Sequence, residues 1–223
     1  MRLSAADHAR VTAAVTAAEL GTDGEIVTVV ARRSDAYHDV ALHWTVLAML
    51  LVLALLAAFP RVMDVLHGLI GDPWAGGVSA SGALTIALVA LALTFLIVRV
   101  VLAWRPLRLA LTPSATKERR VRRAAMALFR TGAEKRTVAA TGVLLYLSLD
   151  EHRAEIVADG AIHAKVAPET WGAAMAALIV AVKDGRPGDG MADAVTAIGA
   201  VLAAHFPRSE GDVNELPDRL IEL

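Results

Sequence analysis

Carboxylates are the side chains of this sequence best placed by type and spacing to do chemistry. Asp159 closes a strand-like run and is followed by Gly160, while Asp23 and Glu25 open another such run. A sheet joining the two runs would gather oxygen ligands of the kind that hold Ca²⁺ or Mg²⁺. The same residues fit a simpler role, because Asp23-Gly24 and Asp159-Gly160 are turn chemistry, and the turn reading is preferred. The expectation is therefore no cofactor, with Ca²⁺ or Mg²⁺ at Asp159, Asp23 and Glu25 as the alternative. Asp150-Glu151-His152 is a second polar cluster, but three neighbours on a tight turn point apart and read as a solvated loop.

Other catalytic arrangements are thin. The seven histidines show no H-E-x-x-H spacing, and His163 and His205 read as loop or cap residues. There is no cysteine, which excludes disulfides, thiolate metal sites and a Cys nucleophile. Gly77-Val78-Ser79-Ala80-Ser81-Gly82 does not match G-x-S-x-G, and no strand precedes it. Gly185-Arg186-Pro187-Gly188-Asp189-Gly190 precedes a helix and offers backbone N–H groups to an anion, yet it lacks the preceding strand and the Walker lysine. No catalytic residue is assigned on this basis.

The elements that position these residues fall around two long apolar runs, Trp44–Phe59 and Ala83–Val98, within residues 41–104. They explain why a chain of 223 residues is 56% hydrophobic, more apolar than an ordinary soluble domain. The stretch from Val40 to Phe59 is about the 20 residues that cross a hydrocarbon core. Ser34 or Asp35 can cap a helix that continues into it without a Gly or Pro. Arg99 lies near the end of the second run, where its guanidinium can snorkel to the headgroups. Trp44 and Trp104 stand where amphipathic indoles mark a membrane interface. Between the runs, Val62, Val65, Leu66, Leu69 and Ile70 share a helical face, so either a short interfacial helix or a plain turn joins the spans.

Charge sets the orientation. Residues 105–136 carry ten basic side chains against two acidic ones, whereas residues 137–223 carry six against thirteen. The connection between the runs has Arg61 alone, so both termini are expected in the cytoplasm, with two spans in a bacterial cytoplasmic (inner) membrane. No apolar segment with a small-residue cleavage site opens the chain, and no signal peptide is expected. Arg119, Arg120, Arg122 and Arg123 form a juxtamembrane basic cluster suited to anionic lipid headgroups. Nucleic acid is not an expected partner, because aromatic platforms and a binding motif are lacking.

Around the runs lies a soluble α/β domain. An amphipathic helix over residues 4–20 leads to a first strand at 25–32. Pro106 is expected to break the second membrane helix, and Thr112-Pro113 to open the basic helix after it. Strands at 141–149 and 153–159 are expected to pair as an antiparallel hairpin. Two helices follow, one opened by Pro168 and one carrying Met191, Val195, Ile198 and Leu202 inward, then an amphipathic tail that docks. The expected organisation is residues 1–40 as the first part of the domain, 41–104 as a transmembrane hairpin, and 105–223 as the basic helix and the remainder. The hairpin thus stands in the crossover between strand 1 and strand 2, and both spans must return the chain to one side for the sheet to close.

Thr141-Gly142-Val143-Leu144, Ile156-Val157-Ala158-Asp159-Gly160 with Ile162, Trp171, Ala203-Ala204-His205-Phe206-Pro207 and Asn214-Glu215-Leu216-Pro217-Asp218 together resemble the TPM domain. Glu19-Leu20-Gly21-Thr22-Asp23-Gly24-Glu25-Ile26 resembles its start, and within the family the likeness is to the bacterial branch described as uncharacterised membrane proteins. The resemblance implies a small mixed sheet sandwiched by helices and a role in maintaining or modulating membrane complexes. An acid phosphatase activity and calcium binding are associated with some soluble members of the family that this chain resembles. Those members carry a glycine- and aromatic-containing loop where this chain has Asp159-Gly160-Ala161-Ile162-His163. The resulting expectation is a non-catalytic interaction or accessory module for an unidentified membrane or peripheral protein; the alternative is a metal-assisted phosphatase acting on phosphate esters.

Overall fold

A computed structural model describes residues 3–70, 78–132, 141–210 and 216–223. Residues 71–77, with Trp74 of the connection, lie outside them. The chain divides into two compact units, residues 36–113 and the remainder.

The larger unit is built on one four-stranded sheet. After helix α1 (Ala5–Glu19) comes strand β1 (Glu25–Ala31). In the second unit lie α2 (His38–Ala58), α3 (Pro60–Ile70), α4 (Ala80–Val101) and α5 (Arg105–Ala110). The larger unit then resumes with α6 (Ser114–Gly132), β2 (Gly142–Ser148), β3 (Arg153–Ala158), α7 (Gly160–His163), a 3₁₀ turn over Pro168–Trp171, α8 (Gly172–Lys183), α9 (Pro187–His205) and β4 (Ile221–Glu222). The sheet order is β3-β2-β1-β4, with β1 parallel to β2 and β4, and β2 antiparallel to β3. The expected parallel and antiparallel pairings of the first three strands are both present.

Every residue of β1 and β2 is buried, as near-continuous apolar strands require when helices cover both faces. On one face Ile26, Val30, Val143, Leu145 and Leu147 meet α1, α8 and α9 through Val11, Val15, Leu178, Val195, Ile198 and Leu202. On the other, Val27, Val29, Leu144 and Tyr146 meet Val121, Ala125 and Phe129 of α6. The basic helix therefore buries the apolar stripe read from its sequence.

Several local expectations are corrected. Neither Ser34 nor Asp35 caps α2, which starts at His38 after Tyr37 in the left-handed region (φ 53°). Both are committed elsewhere: Ser34 N–H donates to Glu151 Oε1 at 2.9 Å, and Asp35 pairs with Arg120 at 2.7 Å. Pro106 does not break α4, which ends at Val101; it sits in the first turn of α5, where a missing N–H costs nothing. Residues 187–190 are the first turn of α9 rather than a loop before it. The tail docks by an added edge strand, β4, with Leu216 and Leu220 buried. Glu151 is buried, and its turn is closed by His152 in the left-handed region (φ 47°).

In the second unit, α2 and α4 pack on each other and are long and apolar enough to cross a membrane, with α3 joining them as a helix. Large apolar side chains along both remain exposed, among them Leu50, Leu51, Leu55, Leu88, Leu93 and Ile97. Hydroxyls on these helices bond inward, Thr45 to Ala41 O at 2.7 Å and Thr94 to Ala90 O at 2.7 Å, so they ask nothing of solvent. Trp44 Nε1 donates to Leu111 O at 3.2 Å, tying the start of α2 to the end of α5.

Helices α1 and α9 approach closely at Gly199, where an added Cβ would stand 2.5 Å from Ala18 Cβ and 3.1 Å from its Cα. Gly199→Val is expected to lower stability by about 1–3 kcal/mol through overpacking. Gly172→Ala, at the start of α8 with open space around it, is expected to leave stability unchanged or slightly raised. Thermal unfolding of the full chain in detergent measures both.

Candidate functional site

The sheet brings the three carboxylates picked out from the sequence to one end, where β1 and β2 begin and β3 finishes. The register sets Glu25 opposite Gly142 and Ala158 opposite Val143, so the dipeptide Thr141-Gly142 lies among all of them. Gly142 N–H donates to Asp159 Oδ2 at 3.0 Å, and Asp159 N–H returns a bond to Gly142 O at 2.9 Å. Thr141 Oγ donates to Asp23 O at 2.9 Å, and Glu25 N–H donates to Thr141 O at 3.2 Å.

Each carboxylate also fastens a separate piece of backbone. Asp23 Oδ1 accepts from Ser209 N–H at 2.7 Å, holding the chain that leaves α9. Glu25, buried, accepts from Leu216 N–H at 3.1 Å through Oε2 and so holds the segment leading to β4. An orphan N–H at an element end is costly when enclosed, and a carboxylate satisfies it with a charge-assisted bond.

Two further acids join this end that sequence reasoning missed. Glu19, the last residue of α1, accepts from Ile26 N–H at 2.8 Å through Oε1, while Oε2 is enclosed. Thr16 Oγ donates to Asp218 Oδ2 at 2.6 Å. Burial pushes the Glu19 carboxyl up to about 8, against the bond from Ile26; the charges of Glu25 and Asp218 and a bond shared with Asp218 push the same way. The Glu19 carboxyl therefore holds its proton to higher pH than an ordinary carboxyl does. The signal for it was its place at the end of α1, one turn after the inward-facing Ala14 and Val15.

Asp159, Asp23 and Glu25 each accept a bond from a backbone amide. Among the described residues, no group of three or more His, Asp or Glu is arranged to hold a metal ion.

The basic residues divide. Arg119, Arg122 and Arg123 are exposed on α6, Arg122 lying 3.8 Å from Glu155, whereas Arg120 is half-buried against Asp35. Burial raises the Glu155 carboxyl, offset in part by Arg122. Trp104 is exposed at the start of α5.

Residues 106–201 match the family model described as the TPM domain. That range runs from α5 into α9 and includes β2 and β3, while β1, which completes the sheet beside β2, precedes the helices of residues 36–113. The NMR structure of BA42 protein from the psychrophilic bacterium Bizionia argentinensis aligns with a TM-score of 0.56 at 16% identity, covering 100% of this chain and 97% of that one. At that identity it shows the fold alone. No curated protein matches the sequence.

The raised Glu19 carboxyl predicts a pH dependence. The folded state holds this proton more tightly than the unfolded chain, whose carboxyl titrates near 4.5, so the contribution is full below that pH and is lost as pH rises through about 8. Thermal stability of the full chain is expected to fall over this window. Glu19→Gln keeps an oxygen for Ile26 N–H and presents an NH₂ toward Asp218, and is expected to flatten the fall; melting curves from about pH 5 to about pH 9 check it.

Proposed function

We propose that this chain is a membrane-anchored TPM-domain protein of the bacterial cytoplasmic membrane, with both termini cytoplasmic. Its domain serves as a non-catalytic interaction or accessory module for a membrane protein complex. The observation that carries the anchoring is the apolar belt of α2 and α4, which leaves large side chains exposed along two helices of 21 and 22 residues. Water tolerates no such contiguous surface on a soluble domain, whereas a bilayer is its natural solvent.

Bases beside the spans support the orientation. Arg105 and Arg108 follow α4 directly, and the exposed Arg119, Arg122 and Arg123 of α6 add attraction to anionic headgroups of about 1 kcal/mol each near the surface. Trp44 and Trp104 stand at the end of the apolar belt that an interface favours.

A non-catalytic role is supported by how the acidic end of the sheet is used. Its carboxylates bind the backbone of Gly142, Ser209, Leu216 and Ile26, which is the work of fasteners. The partner is a membrane or peripheral protein met at the domain surface.

Full-length protein extracted in mild detergent tests the reading. The expected result is a complex of defined stoichiometry by native mass spectrometry, with no hydrolysis of p-nitrophenyl phosphate above buffer with or without Ca²⁺ or Mg²⁺. Asn at position 159 can still accept from Gly142 N–H, so Asp159→Asn preserves the fold. Hydrolysis that disappears in Asp159→Asn at unchanged thermal stability would overturn the proposal in favour of a phosphatase.

A further inference from the structure

At the opposite end of the sheet, where β3 begins, a cleft of about 470 Å³ opens between the first turn of α6 and the last turn of α8. Its wall is basic. Lys117 comes from α6, Lys183 from the end of α8, and His152 and Arg153 from the β2–β3 turn and the start of β3. This is a local reversal, because residues 137–223, which supply three of the four, carry an excess of acids.

The acids nearby leave the cleft positive. Glu151, on the same wall, is buried and turned inward, with Oε1 on Ser34 N–H and Oε2 on the Ser148 hydroxyl. Glu118 stands 3.7 Å from Arg153 but is largely exposed. Among the described residues, no carboxylate lies within ion-pair distance of Lys117 or Lys183. Arg153 is held by a 2.6 Å bond from Nη2 to Ser114 Oγ. Ser114 begins α6, a helix of 19 residues, so first-turn amides without intrahelical acceptors and the positive end of the helix dipole are present at this wall.

We propose that this cleft binds a phosphomonoester group. Two unpaired ammonium groups, a braced guanidinium and a helix start supply more positive charge and more donors than one carboxylate can use, and match a dianion with three terminal oxygens. The volume leaves room for an attached organic part, for which Ala154 and Ile179 form an apolar wall. The site is distant in the fold from the carboxylates of the acidic end and binds without turnover. The same chemistry is offered by a soluble phosphomonoester and by the headgroup of a phosphomonoester lipid.

Full-length protein in a non-ionic detergent is titrated with glycerol 3-phosphate and, separately, with short-chain phosphatidic acid, using short-chain phosphatidylcholine as the neutral comparison. At least one phosphomonoester is expected to bind while phosphatidylcholine does not. Lys117→Ala with Lys183→Ala is expected to weaken binding by about tenfold or more at unchanged melting temperature. Arg130→Ala with Arg219→Ala, which removes the same charge outside both the cleft and the juxtamembrane arginine cluster, is expected to leave it unchanged. Binding of both probes alike assigns a soluble ligand, and binding of phosphatidic acid alone assigns a lipid headgroup. Failure of both probes, binding indifferent to the lysine pair, or equal loss in the arginine pair would overturn the proposal.

Discussion

The parallel pairing of β1 with β2 is the constraint on which the rest of this structure depends. Seven residues on each strand are in register, from Glu25 opposite Gly142 to Ala31 opposite Ser148, and every one of them is buried. Parallel strands need a crossover that brings the chain back to the end it left. Here the crossover contains α2 to α6, so the two apolar helices are part of the connection that lets the central strands meet. A pair of membrane spans satisfies this requirement and a single span does not, because only an even number of crossings returns the chain to the side it left.

The ends of that pairing are secured by different chemistry. Where β1 and β2 begin, carboxylates on Asp159, Asp23, Glu25 and Glu19 accept the amides that the sheet and helices leave over. Where they finish, Glu151 reaches across from the β2–β3 turn to Ser34, and the Tyr146 hydroxyl lies 3.0 Å from Ser34 Oγ. Burial raises the Tyr146 phenol, in keeping with a neutral hydroxyl shared in that network. The chain is thus held beside the sheet immediately before it departs into residues 36–113.

Much of this was legible in the sequence because the strong signals are long. Strands β1 and β2 are apolar on both faces, and α2 and α4 are continuous apolar runs whose ends carry Trp and Arg. Of the TPM-like motifs, those at residues 141–144 and 156–162 and Trp171 fall within residues 106–201, the range that matches the TPM-domain model. What escaped was decided by tertiary partners. Ser34 and Asp35 have the side chains of helix caps, but Glu151 and Arg120 claim them. Glu151 looks like a solvated turn residue until the turn is folded against Ser148. Residues Ile221 and Glu222 carry no strand pattern of their own; they become β4 because β1 presents an open edge. Glu19 and Asp218 are about two hundred residues apart in the chain, and only the docked tail makes them neighbours.

The central claim is that the inserted helices cross a bilayer twice and deliver β2 to the side on which β1 lies. Because the chain has no cysteine, single substitutions report accessibility without background. Arg33→Cys, Ala75→Cys and Ala115→Cys, each in the full-length protein, are exposed to a membrane-impermeant maleimide in intact cells and again after permeabilisation. The account predicts that position 75 is labelled in intact cells and that positions 33 and 115 are labelled only after permeabilisation. Labelling of positions 33 and 115 from opposite sides of the membrane would contradict it.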